Sequence, residues 1–96
     1  MEVTIARSFI KDLKTAPKPT QQAADLAIKA LIEAKSLQTS GLDYKKMEGQ
    51  KKGENYYRIR LGDWRMGIEY VSPKVVVLRI LARGSVYKHF PPGNQL

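Results

Sequence analysis

The amino-acid sequence predicts an α+β domain in which a strand and two helices precede a three-stranded antiparallel meander. Both helices are expected on one face of a curved sheet. Apolar residues recur at helical spacing in the first 35 positions, whereas positions 56–82 alternate apolar with charged residues or run as β-branched segments. The 96 residues suffice for one modest core, so a single domain over residues 1–96 is predicted.

The N-terminal third predicts a short strand, a short helix and a longer helix. Residues 2–6 suit the strand, and residues 7–15 suit a helix that ends before Pro17-Lys18-Pro19. Pro19 can open the second helix, where its missing N–H costs nothing, and this helix is expected to run to about Lys35. The residues expected to face the core are Val3, Ile5, Phe9, Ile10, Leu13, Ala24, Ala27, Ile28, Leu31 and Ala34, with Leu26, Ala30 and Leu37 widening the stripe.

Residues 36–55 are predicted to form a long connection that carries a basic run. This run contains two glycines and the four lysines Lys45, Lys46, Lys51 and Lys52. It fits either a solvated loop or a flap that contacts phosphates, and the charge pattern alone does not distinguish them.

Residues 56–71 predict a β-hairpin that separates apolar from basic side chains. Gly62-Asp63 suits a two-residue turn with positive φ at its first position, which places Leu61 opposite Trp64 and Arg60 opposite Arg65. Directly opposed residues share a sheet face. The predicted apolar face therefore holds Tyr57, Ile59, Leu61, Trp64, Met66 and Ile68, and the other face holds Tyr56, Arg58, Arg60, Arg65 and Glu69.

The third strand of the meander is expected at residues 75–82, after a loop at Ser72-Pro73-Lys74. A three-residue loop places Arg79 opposite Gly67, which lacks a side chain and would leave room for the arginine. A two-residue loop would send Arg79 into the core, where an unpaired charge is costly. The first register predicts five arginines on one face, which suits a polyanionic ligand: Arg58, Arg60, Arg65, Arg79 and Arg83.

The charge distribution also points to an anionic partner. The formal net charge is +8; residues 1–44 carry six basic and five acidic residues (+1), whereas residues 45–96 carry eleven and four (+7). The absence of cysteine excludes disulfides and thiolate chemistry, and the one histidine excludes multi-histidine metal sites. Without a signal peptide or a transmembrane segment, a cytoplasmic location is expected.

Three motifs in order resemble the RelE/ParE superfamily of bacterial and archaeal toxins. They are Lys-Lys-Met-Glu-Gly at 45–49, Tyr-Arg-Ile-Arg-Leu-Gly-Asp-Trp-Arg at 57–65 and Arg-Gly-Ser-Val-Tyr at 83–87. Each motif alone is weak, whereas all three at these spacings are fairly specific. The likeness extends over essentially the whole chain, including the strand–helix–helix opening.

The resemblance implies a toxin of a type II toxin–antitoxin pair with a RelE-like fold. RelE-like members cleave mRNA in the ribosomal A site and use neither a metal nor a cofactor, whereas ParE-like members act on DNA gyrase. The implied partners are the ribosome, mRNA and a cognate antitoxin that wraps the toxin with an acidic or amphipathic segment.

Three site residues follow from matching motif positions. Arg65 and Arg83 fall where RelE-like members carry phosphate-binding, catalytic arginines, and Tyr87 falls on a tyrosine that orients the nucleotide. Metal-free cleavage requires a base for the attacking 2′-OH, cations for the phosphate oxygens and an acid for the leaving 5′-oxygen.

Two departures from the family pattern leave the proton transfers open. Arg58 and Arg60 stand where well-known RelE-like enzymes carry lysines, and arginine is a very poor proton carrier. Ala82 replaces a frequent histidine. Proton transfer must therefore come from Tyr87, His89 or Glu69, or else cleavage is weak or the protein is not a nuclease. The residues expected to bind RNA or phosphate are Arg58, Arg60, Arg79, Lys45, Lys46, Lys51, Lys52 and Tyr56.

Other interpretations fit the same residues. The arginines of the sheet are also suited to docking an acidic antitoxin segment. A ParE-like inhibitor of DNA gyrase would need no nuclease chemistry, and the arginine-for-lysine changes favour it somewhat. An inactive relative that binds DNA or the ribosome is the third class.

Overall fold

The computed structural model describes residues 1–91, which form five strands and three helices. In chain order these elements are β1 (Glu2–Ile5), α1 (Arg7–Thr15), α2 (Lys18–Glu33), β2 (Tyr44–Lys46), β3 (Tyr56–Leu61), β4 (Trp64–Val71), β5 (Lys74–Ala82) and α3 (Val86–His89).

The strands form one mixed sheet in the order β1-β5-β4-β3-β2. The predicted meander β3-β4-β5 is antiparallel, and β1 pairs with β5 in parallel, a neighbour that the sequence pattern did not specify. Strand β2, which lies within the predicted long connection, pairs with β3 at one edge. The α+β class is confirmed, with one more strand than predicted.

Both helices pack on the apolar face of the sheet, as predicted. Phe9 of α1 and Leu31 of α2 are fully buried against the strands. The prediction for Ile5, in the edge strand β1, was wrong, because its side chain is 36% exposed. The predictions for the helical residues Ile10 and Leu26 were also wrong, because their side chains are 45% and 67% exposed. Each is next in sequence to a buried residue and so lies about 100° around the helix from it. Among residues 1–91, no helix combines the length and apolar character needed to cross a membrane.

The β3–β4 hairpin has the predicted turn and register. Gly62 has φ +62°, a conformation that costs glycine little, and Leu61 pairs with Trp64. Consequently Arg60 lies opposite Arg65, and Arg58 lies opposite Gly67.

The loop between β4 and β5 is shorter than predicted. Val71 pairs directly with Lys74, which leaves a two-residue turn, so the three-residue loop was wrong. A register shift between Gly67 and Ile68 then restores the predicted pairing of Gly67 with Arg79. Because a β-bulge adds one residue to one strand, Arg79 stays out of the core despite the short turn.

Arg79 binds a carboxylate of α1 instead of extending the basic surface. Its Nε and Nη2 donate to the two oxygens of Asp12 at 2.7 and 3.1 Å, and one of those oxygens also accepts the N–H of Ile80 at 3.1 Å. The space above Gly67 is filled by the ring of Phe90. The expectation that Gly67 makes room for Arg79 was therefore wrong, since the C-terminal segment uses that space.

Candidate nucleic-acid interface

Four arginines gather at one end of the sheet, on the face opposite α1 and α2. Arg58 and Arg60 lie on β3 and Arg65 on β4, while Arg83 follows β5, with its N–H bonded to the carbonyl of Asp63 at 2.8 Å. We call Arg58, Arg60, Arg65 and Arg83 the arginine surface.

Arg65 is the buried member of this surface. The residue is only 8% exposed. Its Nη1 donates hydrogen bonds to the carbonyls of Gly62 at 2.7 Å and Trp64 at 2.9 Å. The tight turn at Gly62 thus presents two backbone acceptors that hold the guanidinium in place. A guanidinium fixed in this way can meet a phosphate at little further cost in side-chain entropy.

The electrostatics of Arg65 couple it to the rest of the surface. Burial is the main cause that lowers its pKa below the ordinary value, followed by the positive charges of Arg58, Arg60 and Arg83, whereas Tyr87 acts in the opposite direction. These five side chains therefore form one interacting group. An anion bound among them would relieve the repulsion.

A cleft of about 190 Å³ adjoins the arginine surface. Strand β2 forms one wall, because Lys45 pairs with Arg58 in the sheet, and Tyr87 of α3 forms another. The residues that line the cleft are Lys45, Lys46, Met47, Glu48, Arg58 and Tyr87. The first half of the basic flap thus joins the arginine surface through a strand that was too short to recognise in the sequence.

The remaining predicted residues lie outside this cleft. Lys51 and Lys52 are exposed in the following turn, where the N–H of Lys51 donates to Glu54 at 2.6 Å. His89 is exposed at the end of α3 and is not among the residues that line the cleft. Arg79 is held by Asp12, so we omit it from the phosphate-binding group.

Tyr56 is half-buried and packs against Phe90. The two rings meet edge to face with centroids 5.5 Å apart. Burial raises the pKa of the Tyr56 phenol, and the charges of Glu69 and Glu54 raise it further. Glu69 lies opposite Tyr56 in the sheet, which gives this margin of the face a negative charge beside the arginines.

The structure also reveals contributors that the sequence analysis did not single out. Met47, Val86 and Phe90 are buried together in a second small core on the arginine side of the sheet. The sequence did contain one signal of this packing, because a glycine inside a strand, here Gly67, often marks the close approach of another group to the backbone. Within residues 1–91, no group of three or more acidic, histidine or cysteine side chains could hold a metal ion.

Replacing Arg60 by glutamine is expected to raise the free energy of unfolding by about 0.5 kcal/mol, because it removes one charge that opposes protonated Arg65. A lowered pKa of Arg65 destabilises the folded state at every pH at which the guanidinium is protonated. The expected increase in the free energy of unfolding should therefore be the same throughout the neutral range. Urea unfolding at pH 7 measures it. Arg60→Lys, which keeps the charge, should show no gain; an equal gain would contradict the electrostatic cause.

Comparison with known proteins agrees with this geometry. Residues 3–87 match the model of the ParE toxin of the type II toxin–antitoxin system parDE. The chain is 40% identical over 91 residues to Toxin RelE3 of Methanocaldococcus jannaschii. This alignment covers 95% of this chain and all of the relative.

Solved structures show the same fold. The RelB–RelE antitoxin–toxin complex of Methanococcus jannaschii matches with a TM-score of 0.75 at 38% identity, covering 92% of this chain and 99% of that one. The RelE–RelB complex of Pyrococcus horikoshii matches at 0.63 and 26% identity, with coverages of 86% and 94%. YafQ of E. coli, at 15% identity and 0.69, covers 90% and 97% and supports the fold alone.

The α+β domain with its open mixed sheet is thus the fold that this chain shares with the toxins of these complexes. The chain belongs to the RelE/ParE superfamily of type II toxin–antitoxin toxins and is RelE-like.

Proposed function

We propose that this toxin is a ribosome-dependent endoribonuclease that cleaves mRNA in A-site codons and thereby stops translation. The observation that carries the proposal is the convergence of Tyr87, Lys45 and Arg58 on one cleft beside buried Arg65. Such a site offers one guanidinium held in place, two further cations and a phenol around a single cleft.

The proposed reaction is the attack of a ribose 2′-OH on the adjacent phosphate. It forms a 2′,3′-cyclic phosphate and releases the 5′-oxygen of the next nucleotide as a hydroxyl. Negative charge gathers on the non-bridging oxygens in the transition state, where positioned cations stabilise it. We assign this stabilisation to Arg65 and Arg83, with Arg58 and Arg60 holding the flanking phosphates through bidentate contacts.

The proton transfers fall to groups other than the arginines, since a guanidinium does not give up its proton in this reaction. Tyr87 is 61% exposed and lines the cleft, so its phenol oxygen can accept the proton of the 2′-OH while the phenol passes its own proton to water. The ammonium of Lys45 can donate a proton to the leaving 5′-oxygen. His89 lies outside the cleft lining, so we place it second to these two as a proton carrier.

The proposed macromolecular partners are the ribosome, mRNA and a cognate antitoxin in the cytoplasm. The relatives from Methanococcus jannaschii and Pyrococcus horikoshii were each solved as a complex with an antitoxin. An acidic antitoxin segment laid over the arginine surface would neutralise its repulsion and exclude RNA from the cleft. Lys51 and Lys52 are proposed to add contacts to RNA phosphates through charge alone. Half-buried Tyr56 is proposed to lie at the border of this RNA-binding surface.

Primer extension on a reporter mRNA with purified protein tests the proposal. We expect cuts inside A-site codons only when programmed 70S ribosomes are present. The cut ends should carry a 2′,3′-cyclic phosphate and a 5′-hydroxyl. Absence of ribosome-dependent cuts from a protein that still arrests growth would overturn the proposal, and induction of the DNA-damage response would then indicate gyrase as the target.

A further inference from the structure

We propose that Phe90 is a positioning residue that acts through Tyr87, holding the phenol at the wall of the cleft by seating its own ring on Gly67. The inference deepens the proposed ribonuclease function and rests on it for its catalytic consequence. It adds a tail residue, and the glycine that receives it, to the group of residues that determine the rate of cleavage.

The contact between Phe90 and Gly67 is unusually close. Phe90 is fully buried, and a Cβ placed on Gly67 would lie 2.9 Å from two of its ring carbons and 3.0 Å from a third. In folded proteins, a Cβ atom essentially never lies within 3.0 Å of a non-bonded heavy atom. The ring can therefore lie against β4 only because position 67 is glycine.

Phe90 belongs to a second small core that lies on the arginine side of the sheet. It is buried with Met47 and Val86, and the rings of Tyr56 and Phe90 meet edge to face at 5.5 Å. The partly buried side chains of Leu78 and Leu81 complete the cluster. This core joins three parts of the chain that are far apart in sequence: the flap after β2, the sheet, and the tail that carries α3.

This second core determines the position of Tyr87. Helix α3 has only four residues, and so short a helix has no stability of its own. Tyr87 is itself exposed, but it lies between the buried anchors Val86 and Phe90, and the N–H of Phe90 closes the turn on the carbonyl of Val86 at 2.9 Å. Without Phe90 the helix keeps one anchor and Tyr87 loses its fixed place.

The same anchor also affects the opposite wall of the cleft. Met47, which is 5% exposed, packs in the second core directly after the strand that carries Lys45. Met47 and Tyr87 both line the cleft. The Phe90 ring therefore sets the separation between the flap wall and the tyrosine wall, which explains how a residue without polar atoms can influence the chemistry.

Two substitutions remove this positioning by different routes. Phe90→Ala deletes the ring, whereas Gly67→Ala leaves the ring intact and displaces it from the sheet. Phe90 lies outside the main core, and a Cβ on Gly67 would press on the Phe90 ring, so both variants are expected to fold. Each should lower the single-turnover rate of ribosome-dependent cleavage by about 10- to 100-fold, since small displacements of catalytic groups have effects of this size. Phe90→Leu, which keeps an apolar anchor, should restore part of the rate.

A double-mutant cycle separates positioning from a general loss of structure. If Phe90 acts mainly through Tyr87, adding Phe90→Ala to Tyr87→Ala should lower the rate much less than Phe90→Ala lowers it in the wild-type background, the remaining effect coming from the flap wall. Val75→Ala in the main core is the control; with Tyr87→Ala its effect on the rate should simply multiply. If the effects of Phe90→Ala and Tyr87→Ala also multiply, or Phe90→Ala matches wild type, the inference is wrong while the proposed function stands.

A readout that does not require cleavage completes the test. The protein has five tyrosines, and incorporation of 3-fluorotyrosine gives each a ¹⁹F resonance, with Tyr87 assigned from Tyr87→Phe. Phe90→Ala should move the Tyr87 resonance toward that of free fluorotyrosine and leave Tyr57 and Tyr70 of the main core unchanged. An unmoved Tyr87 resonance would overturn the inference. If wild-type protein does not cleave at all, the proposed function fails and this spectrum alone decides whether Phe90 holds Tyr87.

Discussion

Arg65→Ala is expected to lower ribosome-dependent cleavage by about 10²- to 10³-fold, the loss typical of removing one fixed donor from a charged transition state. Its guanidinium is held by two backbone carbonyls at the Gly62 turn and surrounded by three further arginines. Water that fills the vacated space can bond the two carbonyls, but it brings no positive charge to the phosphate. Single-turnover primer extension with programmed ribosomes measures the effect.

Two further variants show which property of Arg65 matters. Arg65→Lys keeps the positive charge, but an ammonium group lacks the planar guanidinium that can contact the two carbonyls and a phosphate together. Most of the loss in cleavage rate should therefore remain. Arg83→Ala should also lower the rate, although less, because Arg83 is exposed. In cells, Arg65→Ala and Arg83→Ala should each relieve growth arrest.

A charge-matched control tests whether position or charge is responsible. Lys74→Ala removes one positive charge at the far end of β4–β5, where Lys74 pairs with Val71. This variant should cleave like wild type. If Arg65→Ala and Arg83→Ala both remain fully toxic while their circular-dichroism spectra match wild type, the catalytic assignment of these arginines is wrong.

The arginine surface illustrates a conflict between folding and binding. Placing Arg65 in a site where burial and three like charges all lower its pKa costs stability at neutral pH. A protein selected for stability alone would carry a neutral side chain there. The expected gain from Arg60→Gln measures part of this cost.

The hairpin and its two faces could be predicted because local chemistry determines them. A glycine with positive φ set the turn at Gly62, and strict alternation then assigned each side chain to a face. The third strand lacked such a marker. Apart from Arg79, its residues from 75 to 82 are apolar on both faces, so a bulge near Leu78 leaves no trace in the pattern.

Other parts of the site depend on contacts between distant segments. Strand β2 has only three residues and exists because β3 offers an unpaired edge, so no local periodicity reveals it. The fit of Phe90 onto Gly67 joins positions 23 residues apart (90 − 67) through tertiary packing. Likewise, Asp12 gave no local sign that it would bind Arg79, whose bulged position turns it toward α1.

Asp12→Ala is expected to lower the free energy of unfolding by about 2 kcal/mol, and the melting temperature by about 10 °C, because three hydrogen bonds meet on this carboxylate. Two come from the Arg79 guanidinium and one from the N–H of Ile80. The side chains of Arg79 and Asp12 are only 24% and 15% exposed, so water replaces these bonds incompletely. Thermal and urea unfolding measure the loss.

Asp25→Ala is the matched control, since it removes the same charge from an ion pair that lies in solvent. Asp25 contacts Lys29 at 3.0 Å with both side chains more than 60% exposed, so its loss should cost less than about 0.5 kcal/mol. Equal losses for the two variants would contradict the importance attributed to the Asp12 contacts. Arg79→Ala should lose stability as Asp12→Ala does while cleaving at the wild-type rate below its melting temperature. A cleavage defect in that variant would instead restore Arg79 to the phosphate-binding group, as the sequence first predicted.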